Sequence, residues 1–123
     1  MIACMIIHGY TGGPYEVEPL SNYLREETTW HIEVPTLPGH GRKLSLKNVS
    51  PKRWINAAEN SLKQLLAKYD EVYLIGFSMG GLIASYLAAK YKVDKLVLLA
   101  SAQKYLSFKQ IFLDIRQPIL FMV

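Results

Sequence analysis

Residues 71–91 read EVYLIGFSMGGLIASYLAAKY. An apolar run passes through Gly76-Phe77-Ser78-Met79-Gly80 and continues as a segment rich in small residues. Glu71 to Ile75 has the near-continuous apolar character of a strand buried on both faces. Met79 to Tyr91 presents Gly80, Gly81, Ala84, Ser85 and Ala88, small enough for a helix to lie close on a sheet. A serine between two glycines, at the junction of a buried strand and a helix, is placed on a sharp and strained turn. Such a turn lifts its hydroxyl above the C-terminal end of the strand. A side chain two residues before or after it would collide with the neighbouring strand or helix, so glycine is required on both sides. The helix that starts there directs free N–H groups and its positive dipole end at whatever reacts with Ser78. Ser78 is therefore the candidate nucleophile. The blander reading is a structural strand-to-helix turn with a capping serine, and the strand–turn–helix context weighs against it.

The same alternation extends outward from this stretch. Ile2 to Ile7 is wholly apolar and stops at His8-Gly9, which predicts a first buried strand. Tyr15, Val17, Leu20, Tyr23 and Leu24 recur at helical spacing, with Glu16 and Glu18 in the first turn. Thr29 to Val34 reads as a second strand, and residues 35–41 as a loop carrying Pro35, Pro38, Gly39 and Gly41. Ser50 as N-cap and Pro51 at the first helical position open a helix that ends near Tyr69-Asp70. Lys95 to Ala100 predicts a fourth strand, 101–117 carries a weak helical pattern, and Pro118 to Val123 reads as a fifth strand. Strand and helix alternate throughout, so the expected fold is α/β: three layers, α/β/α, around a mostly parallel sheet. No repeat, linker or low-complexity tract interrupts residues 1–123, and one domain is expected.

A nucleophile that attacks a carbonyl needs donors for the oxyanion that forms, and backbone N–H groups usually provide them. Met79, directly after Ser78, supplies one. The loop His8-Gly9-Tyr10-Thr11-Gly12-Gly13 after the first strand supplies the other, and the Tyr10 N–H is the candidate. Tyr10, Phe77 and Met79 are expected to line an apolar substrate pocket. Those glycines fall at 9, 12 and 13, which is no G-x-G-x-x-G dinucleotide fingerprint, and no Gly-Lys-Ser/Thr phosphate loop occurs.

Composition narrows the classes further. The net charge of +4 comes from fourteen scattered Lys and Arg rather than a basic stripe, which argues against a nucleic-acid partner. Cys4 lies in an apolar run and reads as a small buried hydrophobe. No stretch approaches the ~18 apolar residues of a membrane span. The apolar N-terminus has no basic flank and is too short for a secretory signal. A cytoplasmic protein without a membrane span is expected.

Together, His8-Gly-Tyr-Thr-Gly12, Pro38-Gly-His-Gly41 and Gly76-Phe-Ser-Met-Gly-Gly81 resemble the carboxylesterase and monoacylglycerol-lipase branch of the α/β-hydrolase superfamily, from about Ile2 to Ala100. The resemblance implies Ser78 as nucleophile and backbone N–H donors at Tyr10 and Met79. It also implies hydrolysis of short- to medium-chain carboxylic esters or monoacylglycerols, with no metal and no organic cofactor. In that family the catalytic acid and then the histidine follow the nucleophile. Here all three histidines (His8, His31, His40) precede Ser78. Pro118 to Val123 is similar to the strand leading into the acid, so the chain is expected to stop short of both groups and to be inactive alone. About seventeen residues separate the fourth and fifth strands, enough for one crossover helix but not a full cap. His8 and His40 sit at loop-shaping motif positions, and His31 reads as a partly buried strand residue. Asp94 belongs to a turn and Asp114 is misplaced for a triad. The alternatives are an acyltransferase or thioesterase using the same serine, and a non-catalytic binding module of the same fold.

Overall fold

A computed structural model of the chain describes residues 1–99 and 121–122. The first strand, β1, is Ile2–Ile7, followed by a 3₁₀ turn at Pro14–Val17 and helix α1 at Glu18–Glu27. Strand β2 (His31–Glu33), helix α2 (Pro51–Lys68), strand β3 (Glu71–Phe77), helix α3 (Met79–Lys90), strand β4 (Lys95–Leu99) and strand β5 (Phe121–Met122) complete the order. The helical pattern over 101–117, Asp114 and the residues 118–120 lie outside the described residues.

The sheet has five strands in the order β2-β1-β3-β4-β5, and every pairing is parallel. Side-chain alternation splits the core in two. Ala3, Met5, Ile7, Val72 and Leu74 face α2 and α3, with Ala58, Leu62, Ile83, Ala84 and Leu87 packed on them. Cys4, Ile6, Tyr73, Ile75 and Phe77 point to the other face, where Val17, Leu20 and Leu24 cover them. The arrangement is the expected α/β/α sandwich. Burial pushes the Cys4 thiol up to about 12, so it is an inert core residue.

The order in which strands are added reverses at β1. β1 is flanked by β2, which follows it through α1, and by β3, which is reached through α2. The loops after β1 and β3 therefore leave adjacent strand ends, and such a switch point opens a crevice at the carboxyl edge. Register places Ile7 opposite Gly76, so both strands end together.

Several boundaries differ from the sequence reading. The second strand is only three residues long because, as the edge strand, it pairs with β1 only at Ala3, Cys4 and Met5. The first helix begins as the 3₁₀ turn, and Pro19 sits in the first turn of α1, where a missing N–H costs nothing. Ser50 has the extended backbone of an N-cap, but its hydroxyl makes no capping bond; its carbonyl accepts the Arg53 N–H instead. His31 is exposed rather than partly buried, since Ile32 is the residue of β2 that turns inward. Asp94 is structural, as expected: its carboxylate accepts the Val72 N–H at 2.8 Å while its own N–H returns to Val72 O at 2.9 Å. No helix among the described residues is long and apolar enough to cross a membrane.

Truncation of the central strand tests this division of the core. Leu74→Ala, at a fully buried position, should lower stability by about 2–5 kcal/mol in denaturant unfolding. Leu82→Ala, at a site 74% exposed, should change it by less than about 0.5 kcal/mol.

Candidate active site

Ser78 stands between β3 and α3, exposed, with φ 56° and ψ −121°. A non-glycine residue at such dihedrals is strained by on the order of 1–3 kcal/mol and persists only where its surroundings hold it. They do so from three sides. Its N–H donates to Leu99 O at 2.9 Å, extending the pairing with β4, and its carbonyl accepts the Gly81 N–H at 2.9 Å. The two glycines of the motif make the turn sterically possible. A Cβ on Gly76 would come within 2.5 Å of Gly80 O and of the Gly81 Cα, and one on Gly80 within 2.5 Å of His8 O. α3 thus starts directly against the ends of β3 and β1. Met79 opens the helix, where its N–H has no intrahelical partner.

The loop after β1 reaches Ser78. A Cβ on Gly9 would sit 3.3 Å from the Ser78 Cβ and 3.5 Å from Phe77 O. Among the described residues, the Tyr10 N–H has no hydrogen-bond partner. The sharp turn of this loop is made by Thr11, at φ 62°, and not by a glycine. Gly12 and Gly13 serve close approach instead: a Cβ there would strike the Glu16 carboxylate or, at 2.8 Å, the Gly41 Cα.

The loop carrying Pro38-Gly-His-Gly41 clasps the first one. Gly41 N–H donates to Gly12 O at 3.0 Å, and Leu37 N–H donates to the Nε2 of His8 at 3.0 Å. His8 Nδ1 lies 2.9 Å from Gly9 O, and with Nε2 accepting, Nδ1 must be the nitrogen that carries the proton. His8 is therefore a neutral, fully buried strut. Desolvation lowers its pKa below the ordinary histidine value, with His40 adding to the effect; the Gly9 carbonyl and Glu16 oppose it. His40 is wedged against the rings of His8, Tyr10 and Trp54 at 5.2, 5.9 and 5.1 Å, and its Nδ1 is 3.1 Å from Pro38 O. Its Nε2 and the Trp54 Nε1 are buried without a partner among the described residues. His31 pairs with Ala3 at the far end of β1, beside Glu33 at 3.2 Å and stacked on Tyr69. No hydrogen bond joins any of these histidines to Ser78 among the described residues.

The structure brings Ser78, the Gly9–Tyr10 loop and Met79 together, and it moves Phe77 away. Phe77 follows Tyr73 and Ile75 onto the α1 face of the sheet and is 5% exposed, so the expected pocket wall there is corrected to core. Apolar surface beside Ser78 comes instead from a groove of about 380 Å³ between α2 and α3, lined by Trp54, Ile55, Met79, Leu82, Ile83 and Tyr86. Sequence reasoning missed Trp54, Leu82 and Tyr86. Trp54 lies on α2, and the other two lie four residues apart on one face of α3. Among the described residues, no group of three or more His, Cys, Asp or Glu side chains is arranged to hold a metal ion.

With a strained serine between strand and helix beside a glycine-rich loop, the chain belongs to the alpha/beta hydrolase fold family, whose model matches residues 4–120. It is 36% identical over 98 residues to a pimeloyl-(acyl-carrier protein) methyl ester esterase of Neisseria meningitidis serogroup B, covering 78% of this chain and 35% of that protein. It is 28% identical over 89 residues to a thermostable monoacylglycerol lipase of Bacillus sp. (strain H-257), covering 71% of this chain and 35% of that one. The chain thus spans about a third of the length of these curated relatives. Among solved structures, a metagenome-derived lipolytic enzyme of the LipS and LipT pair superposes with a TM-score of 0.72 at 21% identity, over 81% of this chain and 42% of that one. Est1E from Butyrivibrio proteoclasticus gives 0.68 at 23%, over 84% and 44%. Relatives in this family are carboxylic ester hydrolases.

The buried neutral His8 makes stability depend on pH. Its folded pKa is depressed, so between that value and about 6.5 the unfolded chain binds more protons than the folded one. Stability should fall as pH drops below about 6.5, and His8→Gln should remove this component while lowering stability overall. Urea unfolding of both proteins from about pH 7.5 to 5 measures the difference in slope.

Proposed function

We propose that this chain is the nucleophile-bearing part of a serine hydrolase acting on carboxylic esters with apolar acyl groups, short- to medium-chain esters or monoacylglycerols. The observation that carries the reading is the exposed Ser78 at a left-handed φ of 56°, close to Gly9 and followed directly by Met79 at the start of α3. Ser78 Oγ adds to the ester carbonyl as a base takes its proton, and the oxyanion is received by the N–H groups of Tyr10 and Met79. Collapse expels the alcohol, which takes up that proton, and leaves an acyl group on Ser78. Water then releases it as the carboxylic acid by the same steps in reverse order. Each backbone donor in such a hole is worth about 10²–10³ in kcat. The Tyr10 ring and the groove beside Met79 offer apolar surface to the acyl chain.

The base that takes this proton and the acid that orients it are left unassigned. No histidine follows Ser78, and His8 has both ring nitrogens engaged. The same absence favours the alternative of a non-catalytic binding module, while transfer of the acyl group to another acceptor would use the same elbow. Fluorophosphonate labelling separates these readings. A longer protein carrying this sequence should be labelled at Ser78 and lose labelling in Ser78→Ala. The 123-residue chain should react about 10⁴–10⁶ more slowly. Equal rates would reveal a base within the chain, and no labelling in either would remove the hydrolase reading. Hydrolysis compared with transfer to an added alcohol or thiol distinguishes the acyl acceptor.

A further inference from the structure

We propose that Glu16 is a positioning residue for the oxyanion donor, an inference that rests on the hydrolase reading and deepens it. Glu16 lies on the 3₁₀ turn Pro14–Val17 and grips the loop at both ends. Its N–H donates to Gly13 O at 2.9 Å, and its Oε1 accepts the Gly9 N–H at 2.8 Å. The carboxylate fills the hollow that the loop encloses, since a Cβ on Gly12 would come within 2.7 Å of its carboxyl carbon. The loop is wrapped around this side chain.

The consequence falls on the next peptide plane. Gly9 C=O and Tyr10 N–H share one planar trans unit and point in opposite directions. Gly9 O is directed at the His8 Nδ1, 2.9 Å away, and at the Gly12 N–H, 3.2 Å away. Tyr10 N–H therefore points away from those groups. Glu16 fixes the plane on the N-terminal side by holding the Gly9 N–H, and it removes that N–H from the candidate donors. Gly9 lies close to Ser78: a Cβ on it would sit 3.3 Å from the Ser78 Cβ. One residue thus separates the carboxylate from the nucleophile. A negative charge so near a developing oxyanion opposes catalysis, so the useful property of Glu16 is its acceptor oxygen, which an amide reproduces.

The test compares Glu16→Ala and Glu16→Gln in a longer, active protein carrying this sequence, with kcat normalised to the Ser78 that a phosphonate titrates. Glu16→Ala should lower kcat by about 10²–10³ with KM little changed, as for loss of one oxyanion donor. Glu16→Gln should restore most of it. Hydrogen exchange of the Gly9 amide gives a readout free of chemistry: protected in the wild type and in Glu16→Gln, open in Glu16→Ala. A Glu16→Ala protein with unchanged kcat or a still-protected Gly9, or a Glu16→Gln protein as impaired as the alanine variant, overturns the proposal. An inactive wild type would count against the hydrolase reading instead, and Gly9 exchange alone would then decide whether Glu16 fixes the loop.

Discussion

The first turn of α3 lies so close to β1 and β3 that a methyl group at Gly80 would overlap the carbonyl oxygens of Ile7 and His8, and one at Gly76 the backbone of Gly80 and Gly81. That contact leaves the chain a single residue in which to reverse from strand to helix. Ser78 absorbs the whole change, at φ 56° and ψ −121°, with its N–H and C=O both tied to neighbouring backbone. The strain is local, and its compensation is spread through the sheet. It holds only because β3 is buried on both faces and paired on both edges, so the strand end cannot yield.

Topology supplies the second half of the site. The order β2-β1-β3 sends the connections after β1 and β3 apart, and the loop at residues 9–13 settles into the crevice between them, with Gly9 against Ser78. Hydrogen bonds from three sources then shape the loop: His8 from beneath, the Leu37–Gly41 segment from the side, and Glu16 from within. The two motifs that precede Gly76–Gly81 in sequence are thus the two halves of one clasp. His8 serves it best when uncharged, which is what complete burial enforces.

Much of this was legible before any coordinates. Apolar runs ending at glycine marked β1 and β3, and the glycines at 76 and 80 were required by the close contact that the structure shows. What was misread has physical causes. Phe77 was taken for a pocket residue because it adjoins the nucleophile, although period-two alternation from Tyr73 and Ile75 already put it on the α1 face. Glu16 was read as a first-turn acid of a helix; its bond to Gly9 is a tertiary contact that no periodicity encodes. Thr11 rather than a glycine takes the left-handed turn, and residue type alone pointed the other way. His31 was given too much burial because the short edge strand was read as a longer one, from Thr29 to Val34.

The claim on which the rest depends is that Ser78 presents its oxygen to two backbone donors at once. A crystal structure of a longer protein carrying this sequence, with a phosphonate covalently attached, would measure it directly. The phosphoryl oxygen should lie about 2.7–3.1 Å from both the Tyr10 N and the Met79 N, with phosphorus bonded to the Ser78 Oγ. An adduct on another residue, or a phosphoryl oxygen turned to solvent and away from those two nitrogens, would contradict the account.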